Sequence, residues 1–529
     1  MGHQITEVRL LVVPLENDYK HTLHFNGKGT QAQYFVGKSD PEHTYTGLSY
    51  QRKEKYISIP GNYEDLKKFN YVMYRNKATS VSWVYAFITK MEYRSDEVTW
   101  VYIETDVLQT YLTDYTVKPS FVEREHTNDD TVGKHTFPEN LECGEFVCHY
   151  TQEDSTLTAL SVVVAMTEPD PALEDLEGDT SGYVGRYRGA VSGVIYYAQP
   201  IDQISKVREL VERFDEAGKA DAIQAIFLCP TFIAQVLDGT ASDPITPDHT
   251  QPASFEVSVG GGVVNTMGNG YTPRNKKLLT FPYKYMLVSN NAGASAVYHY
   301  EHFTNAQNGM KFKVYGTMTP GCSIRMLPEE YKGVPENNEE GLNLGKYPIC
   351  NWTSDAFTNW MTQNSVNIGL TMLSGVGQVI GGVGATVTGA GAVAGVGSMV
   401  GGVSTIANQL AQIHQMSFTP NQSRGNINSG DVTTAMNKNT FTFYGMSIRK
   451  EYAKIIDGYF DMFGYKVNMV KTPLSNHRPE YWYTKTIDVS IDGDIPGEDM
   501  QKIKDCYNRG VTFWKNPANI GDYSVSNTI

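Results

Sequence analysis

Sixty-eight consecutive residues, Ala356 to Ser423, contain no Asp, Glu, Lys or Arg in a chain that is otherwise 19% charged. The centre of this run, Gly369 to Gly402, holds 12 glycines in 34 residues, and nearly all the others are Ala, Val, Ser, Thr, Met or Leu. So much glycine argues against a soluble core helix, because each interior Gly costs roughly 0.5–1 kcal/mol relative to Ala. The apolar positions argue equally against an ordinary linker. Ile368, Leu370, Met372, Leu373, Val376, Val379, Ile380, Val383, Val387, Val393, Val396, Met399, Val400, Val403 and Ile406 make water a poor lasting solvent for it. The segment must be covered, or it must enter lipid.

Its glycines recur as G-x-x-x-G in three pairs, Gly377 with Gly381, Gly391 with Gly395, and Gly397 with Gly401, the spacing that lets apolar helices approach closely in a bilayer. At about 1.5 Å per residue, a helical Gly369–Gly402 would span about 50 Å against a hydrocarbon core of about 30 Å, enough for one tilted crossing or a short hairpin. A phosphate-binding loop is excluded, since the glycines do not fall as G-x-G-x-x-G and no Gly-Lys-Ser/Thr follows. A constitutive transmembrane helix fits poorly with the soluble composition of the rest of the chain. The reading is a conditional membrane segment, shielded in one state and exposed in another.

The remainder reads as mainly β with α+β parts, in several domains. Among 529 residues, 34 are tyrosines and 12% are aromatic, a sheet-favouring composition. The net charge of −14 opposes gripping DNA by phosphate neutralisation but is compatible with a conduit whose wall repels phosphates. The six cysteines show no C-x-x-C and no zinc spacing, and are read as free, mostly buried thiols. The N-terminus lacks the pattern of a secretory signal.

Four regions are expected. Residues 1–135 form a β-domain with a first strand through Val8–Val13, a hairpin of Val81–Tyr93 with Val98–Glu104, a short helix capped by Asp106, and a strand at Ser120–His126. Residues 136–345 are an inserted middle, strand-rich, with a helix carrying Val207, Leu210 and Phe214 and ended by Gly218. Residues 346–430 comprise the apolar loop and its stems, whose polar flanks are read as loops. In residues 431–529 a β-α-β-β-α-β order suggests a compact α+β unit that packs with the N-terminal scaffold, its first helix ended by Gly464.

Several motifs together resemble a known family. Asn17-Asp18-Tyr19-Lys20, the Trp83–Tyr93 run WVYAFITKMEY, Asp106–Thr110 and Phe121–His126 near the start, then Gly464-Tyr465-Lys466, Gly493-Asp494-Ile495 and Asn519–Val525 near the end, stand in the order found in tail knob proteins of phi29-type short-tailed phages. A long Gly-rich apolar loop lies in the same relative place. The resemblance covers roughly the first 125 and last 100 residues and is poor from about 135 to 345. It implies a ring-forming, hexameric tail-tube subunit at the distal end of the virion tail, made in the host cytoplasm and joined to other tail proteins. Genomic DNA would pass its lumen without sequence-specific binding. The apolar loops, Ile368 to Ile406 here, would plug the lumen and then insert in the host cytoplasmic membrane as a pore.

No catalytic residue, cofactor or metal site is expected. His299 and His302, in a strand-like Val297–Phe303, should face opposite sides, and Asp492 and Asp494 read as turn carboxylates. Glu123-Arg124-Glu125-His126 reads as a solvated strand edge or a subunit contact. Two rival functions are a receptor-binding or adhesion tail protein, which leaves the apolar segment unexplained, and a tail-associated cell-wall hydrolase, which lacks a recognisable carboxylate pair or Cys/His site.

Overall fold

The computed structural model describes residues 3–5, 7–51, 54–76, 82–168, 170–171, 185–187, 190–192, 195–219, 222–234, 252–322, 324–344, 347, 349–354, 422–426, 434, 436 and 438–529. These are mostly strands, with few helices, and divide into two compact units. One contains Met1–Cys143, Thr272–Leu278 and Lys450–Ile529; the other contains Gly144–Tyr271 and Leu279–Arg449. Each chain end thus contributes to the first unit.

The first unit is built on an eight-stranded antiparallel sheet in the order His3–Ile5, Leu48–Gln51, Tyr56–Pro60, Val98–Thr105, Val84–Ser95, Tyr71–Arg75, Glu7–Leu11, Ser39–Tyr45. Its central strands are apolar on both faces because both are covered. The consecutive Leu10 and Leu11 are both fully buried in different cores, Leu10 with Val72, Val101 and Ile103, and Leu11 with Phe35, Tyr71, Tyr85, Trp482 and Trp514. The expected hairpin is present, Val84–Ser95 against Val98–Thr105, and Asp106 caps Val107–Thr110 by accepting from the Gln109 amide at 3.1 Å.

A second sheet runs Tyr465–Lys471, Ser120–Glu125, Tyr481–Ile487, Val511–Trp514, His21–Leu23, with the last pair parallel. Here the structure departs from the sequence reading. The C-terminal β-α-β-β-α-β series does not close on itself: its first strand, Thr442–Ile448, belongs to the other unit, and Ser120–Glu125 lies between two C-terminal strands. Flanked on both sides, Ser120–Glu125 is no solvated edge, and Arg124, Glu125 and His126 are buried. Arg124 pairs with Glu139, and Glu125 with Lys471.

Helix Lys450–Phe463 stops at Gly464 as expected, with φ of 61° and its N–H donating to the Phe460 carbonyl at 2.8 Å. A Cβ at Gly464 would lie 2.2–2.5 Å from the backbone of Glu125 and His126, atoms that cannot move without displacing the end of the interior strand Ser120–Glu125. Gly464→Ala should therefore destabilise the first unit by at least about 2 kcal/mol, from left-handed strain and displaced backbone together. A urea titration of both chains would measure it; a midpoint within error of the parent would refute the packing argument.

Among the described residues the second unit contains three larger sheets and the two-stranded pair Gly185–Tyr187 with Ala190–Ser192. One runs Phe146–Glu153, Thr442–Ile448, Lys284–Ser289, Ser295–Tyr298; another centres on Met310–Gly316 between Ala253–Val259 and Ile324–Tyr331. The third runs Ile195–Pro200, Leu160–Met166, Ile223–Pro230, Ile349–Ser354, Gln422–Asn426. Helix Ile204–Glu216 covers part of this third sheet with Val207, Leu210 and Phe214, and Gly218 follows it at φ 68°.

Candidate functional site

The apolar segment is rooted in that third sheet. Ile349–Ser354 pairs with Ile223–Pro230 on one side and with Gln422–Asn426 on the other, in an antiparallel register that sets Ser354 opposite Gln422. The two residues that flank 355–421 are therefore cross-strand neighbours. By sequence both flanks read as loops. The described stretches, Ile349–Ser354 and Gln422–Asn426, are strands because a ladder is held by backbone bonds, which polar residues such as those of Gln422–Asn426 make as well as apolar ones, especially at an edge.

The membrane-active positions expected from sequence all lie outside the described residues. This holds for the apolar side chains from Ile368 to Ile406 and for the glycines at G-x-x-x-G spacing, Gly377, Gly381, Gly391, Gly395, Gly397 and Gly401. Among the described residues no helix is long and apolar enough to cross a membrane.

The ionisable groups that suggest chemistry at first sight are largely committed to holding the fold. In the first unit a cavity of about 580 Å³ is lined by Glu125, Lys134, His135, Tyr465, Lys466 and Lys471, among others. Glu125 is bonded to Lys471 and accepts from the Leu474 amide at 2.8 Å; the His135 Nε2 sits 2.9 Å from Thr127 Oγ1 and 2.7 Å from the Asp129 carbonyl. His21 Nδ1 accepts from the Trp514 indole at 3.1 Å, and the His24 ring packs 4.9 Å from Trp482. Asp492, in the strand Ile491–Gly493, pairs with Lys118 at 3.2 Å. Of the cysteines, Cys143, Cys148, Cys229, Cys322 and Cys506 are free, the last three buried.

One histidine has a consequence for stability. His126 Nδ1 accepts from the Tyr483 amide at 2.7 Å while Nε2 faces the Asp461 carbonyl at 3.0 Å, so the imidazole is held as the neutral Nε2–H tautomer. Burial, with Arg478 nearby, pushes its pKa down to about 3. The unfolded chain takes up this proton near pH 6.5 and the folded chain near 3, so the contribution is complete above about pH 6.5 and lost as pH falls towards 3. Asp106 and Asp461, raised to about 6 by burial, act oppositely between about pH 6 and 4. His126→Asn should remove only the histidine component. The parent should lose on the order of 3 kcal/mol more than the variant between pH 7 and 4, read from urea midpoints at each pH. Parallel profiles would mean that the ring titrates alike folded and unfolded.

The profile of the C-terminal domain of the tail knob protein gp9 of Bacillus phage phi29 matches residues 251–528, more than half of the chain. The chain belongs to the phi29-type tail knob protein family. Residues 4–116 also match the N-terminal part of the caudoviral major tail protein. The phi29 tail knob protein gp9 is 25% identical over 99% of this chain and 98% of its own length, and that of Bacillus phage PZA is 24% identical with the same coverage. A solved structure, the tail knob protein gp12 of bacteriophage C1, superposes with a TM-score of 0.62 at 13% identity over 100% of this chain and 99% of its own, which shows a shared fold.

The resemblance found in the sequence is thus correct, and as a tail knob protein the chain is a structural component of the phage virion, located at the tail. The match also runs through the middle region where the sequence motifs fade.

The structure corrects the reading of His299 and His302. Tyr300–His302 is a 3-10 turn rather than strand, and three residues per turn bring i and i+3 onto one side. The two rings lie 4.8 Å apart between centroids, with Glu301 close to both. Sequence inspection misses this because Val297 and Tyr298 before it do belong to a strand, Ser295–Tyr298, and nothing local announces its end.

Proposed function

We propose that this tail knob protein is the subunit of a hexameric conduit for genome ejection, whose apolar segments plug the lumen and on release insert in the host cytoplasmic membrane as a pore. The observation that carries the reading is the uncharged run Ala356–Ser423 rising from a paired two-stranded stem. Because both ends of the segment start from one place, a membrane insertion has to cross and return. A hairpin of two legs needs about 20 residues each for a hydrocarbon core of about 30 Å, and residues 355–421 supply enough for both. A single crossing would instead require the stem to separate. The glycine pairs Gly377 with Gly381, Gly391 with Gly395, and Gly397 with Gly401 suit close packing of such legs between neighbouring copies. The acidic balance suits a lumen that lets DNA slide, and ring closure follows from the head-to-tail contact that a conduit requires.

The test uses dye-loaded liposomes of bacterial phospholipid with full-length protein at neutral and lowered pH, beside a chain lacking Gly369–Gly402. This deletion leaves both stem strands intact, so the shortened chain should melt cooperatively, close to the parent. Full-length protein should release the dye under at least one condition, and the shortened chain should not. Equal leakage from both, or none from either, would sink the membrane reading.

A further inference from the structure

Among the described residues, His299, Glu301 and His302 form a cluster whose donor atoms all lie within 4.8 Å of one another. We propose that these three side chains bind a divalent first-row transition ion, with zinc as the reference case, in a site separate from the membrane segment.

The cluster is built by its surroundings. The His299 ring stacks on Phe281 with centroids 4.0 Å apart and planes 9° apart. The amide of Phe281 donates to Glu301 Oε1 at 3.0 Å, which fixes the carboxylate, while Oε2 is enclosed and has no hydrogen-bond partner among the described residues. An enclosed carboxylate oxygen without a donor costs free energy unless a cation or proton meets it. The neighbouring cation Lys284 does not bond to it: its ammonium donates to the Val263 and Val264 carbonyls. The outer cation Lys332 is paired with Glu340.

Tyr331 supplies the second layer. Its oxygen accepts from the His299 amide at 3.2 Å and lies 3.4 Å from His302 Nδ1. An Nδ1–H donating to that oxygen leaves the His302 Nε2 lone pair free, the usual way a neighbouring acceptor prepares a ligating imidazole.

Two imidazoles and one carboxylate are the donor set of zinc and related ions rather than of calcium or magnesium, which take oxygen ligands. Zinc bonds of about 2.0–2.1 Å place tetrahedral donors about 3.3 Å apart, so donors that lie within 4.8 Å of one another have to draw inward to close on an ion. The three side chains are half-buried, which leaves solvent an approach and the ion a fourth position. Binding would tie the Tyr300–His302 turn more firmly to the segment around Phe281.

The experiment uses untagged full-length protein, stripped with a chelator and then titrated with Zn²⁺ against a chromophoric competitor, and with Co²⁺ by visible absorption. One equivalent per chain is expected, with Co²⁺ bands of a low-coordinate nitrogen and oxygen site. Glu301→Gln and His302→Gln should each weaken binding at least about tenfold, and Tyr331→Phe by about tenfold as loss of an outer partner. A variant is scored only where its metal-free melting curve matches the parent, and either ligand variant suffices. Absence of stoichiometric binding, or binding unchanged in a correctly folded ligand variant, overturns the site; the other histidines would then account for any metal taken up.

Discussion

Glu139→Ala should leave the first unit largely unfolded under conditions where the parent is fully folded. The Glu139 side chain has no solvent exposure and lies between two cations that are themselves buried, Lys277 at 2% and Arg124 at 8% side-chain exposure. One oxygen meets the Arg124 guanidinium; the other meets the Lys277 ammonium and accepts from the Lys466 amide at 2.9 Å. Arg124 also donates to the Gly464 carbonyl at 2.7 Å, and Lys277 to the Phe137 carbonyl at 2.8 Å, so three stretches of chain far apart in sequence converge on one carboxylate. Removing it takes the bonded carboxylate from two enclosed positive charges, whose other neighbours include carbonyl oxygens and the rings of Tyr459, Phe460 and Tyr465. Breaking a buried ion pair in this way costs about 3–5 kcal/mol, a large part of the stability of a typical domain. The direction of the Lys277 shift agrees: burial lowers its pKa, and Glu139 is the main group opposing that.

The distinguishing measurement is a double variant. If the damage comes from an unpaired charge rather than a lost shape, Glu139→Ala with Lys277→Met should recover part of the loss, since replacing a buried pair by apolar groups is often close to neutral. Thermal and urea unfolding of the three chains would show it. A single variant that melts with the parent, or a double variant no more stable than Glu139→Ala alone, would contradict this account of the junction.

Local signals in the chain reveal what local chemistry decides. The hairpin at Val84–Ser95 and Val98–Thr105 alternates and turns at a polar tetrapeptide, Asp106 precedes a helical run, and Gly218 and Gly464 end helices because only glycine takes positive φ there cheaply. What long-range pairing decides is not legible. Helix Lys28–Lys38 contains two glycines and buries only Gln31 and Phe35; it is held by the Gln31 amide on Gln109 and by Phe35 stacked on Tyr71, contacts with no local signature. The charged run at Glu123–His126 looks solvated because its partners, Glu139 and Lys471, lie 15 and 346 residues away. The stem strands are hidden for the same reason, their pairing being across the whole apolar segment. For the candidate membrane positions composition and glycine spacing alone are informative, and they lie outside the described residues.

Aspartates at Val379 and Val396 should abolish membrane permeabilisation while leaving the folded units as they are. On insertion scales each Asp near the centre of a membrane-crossing leg costs about 2.5–3.5 kcal/mol, so the pair costs about 5–7 kcal/mol per chain. At about 1.4 kcal/mol per factor of ten, insertion would become roughly 10³–10⁵ times less favourable for one segment, and a pore of several segments multiplies the penalty. In water the same two carboxylates are solvated at little cost, which makes the substitution selective for the lipid state. Val379→Leu with Val396→Leu keeps the apolar character and should leak like the parent, separating charge from mere change of side chain. The comparison is made on liposomes under the condition that gives the parent its greatest release, with melting curves taken alongside. Leakage undiminished in the aspartate variant would mean that these positions never enter lipid, and the apolar segment would then have to serve the knob only as packing within the particle.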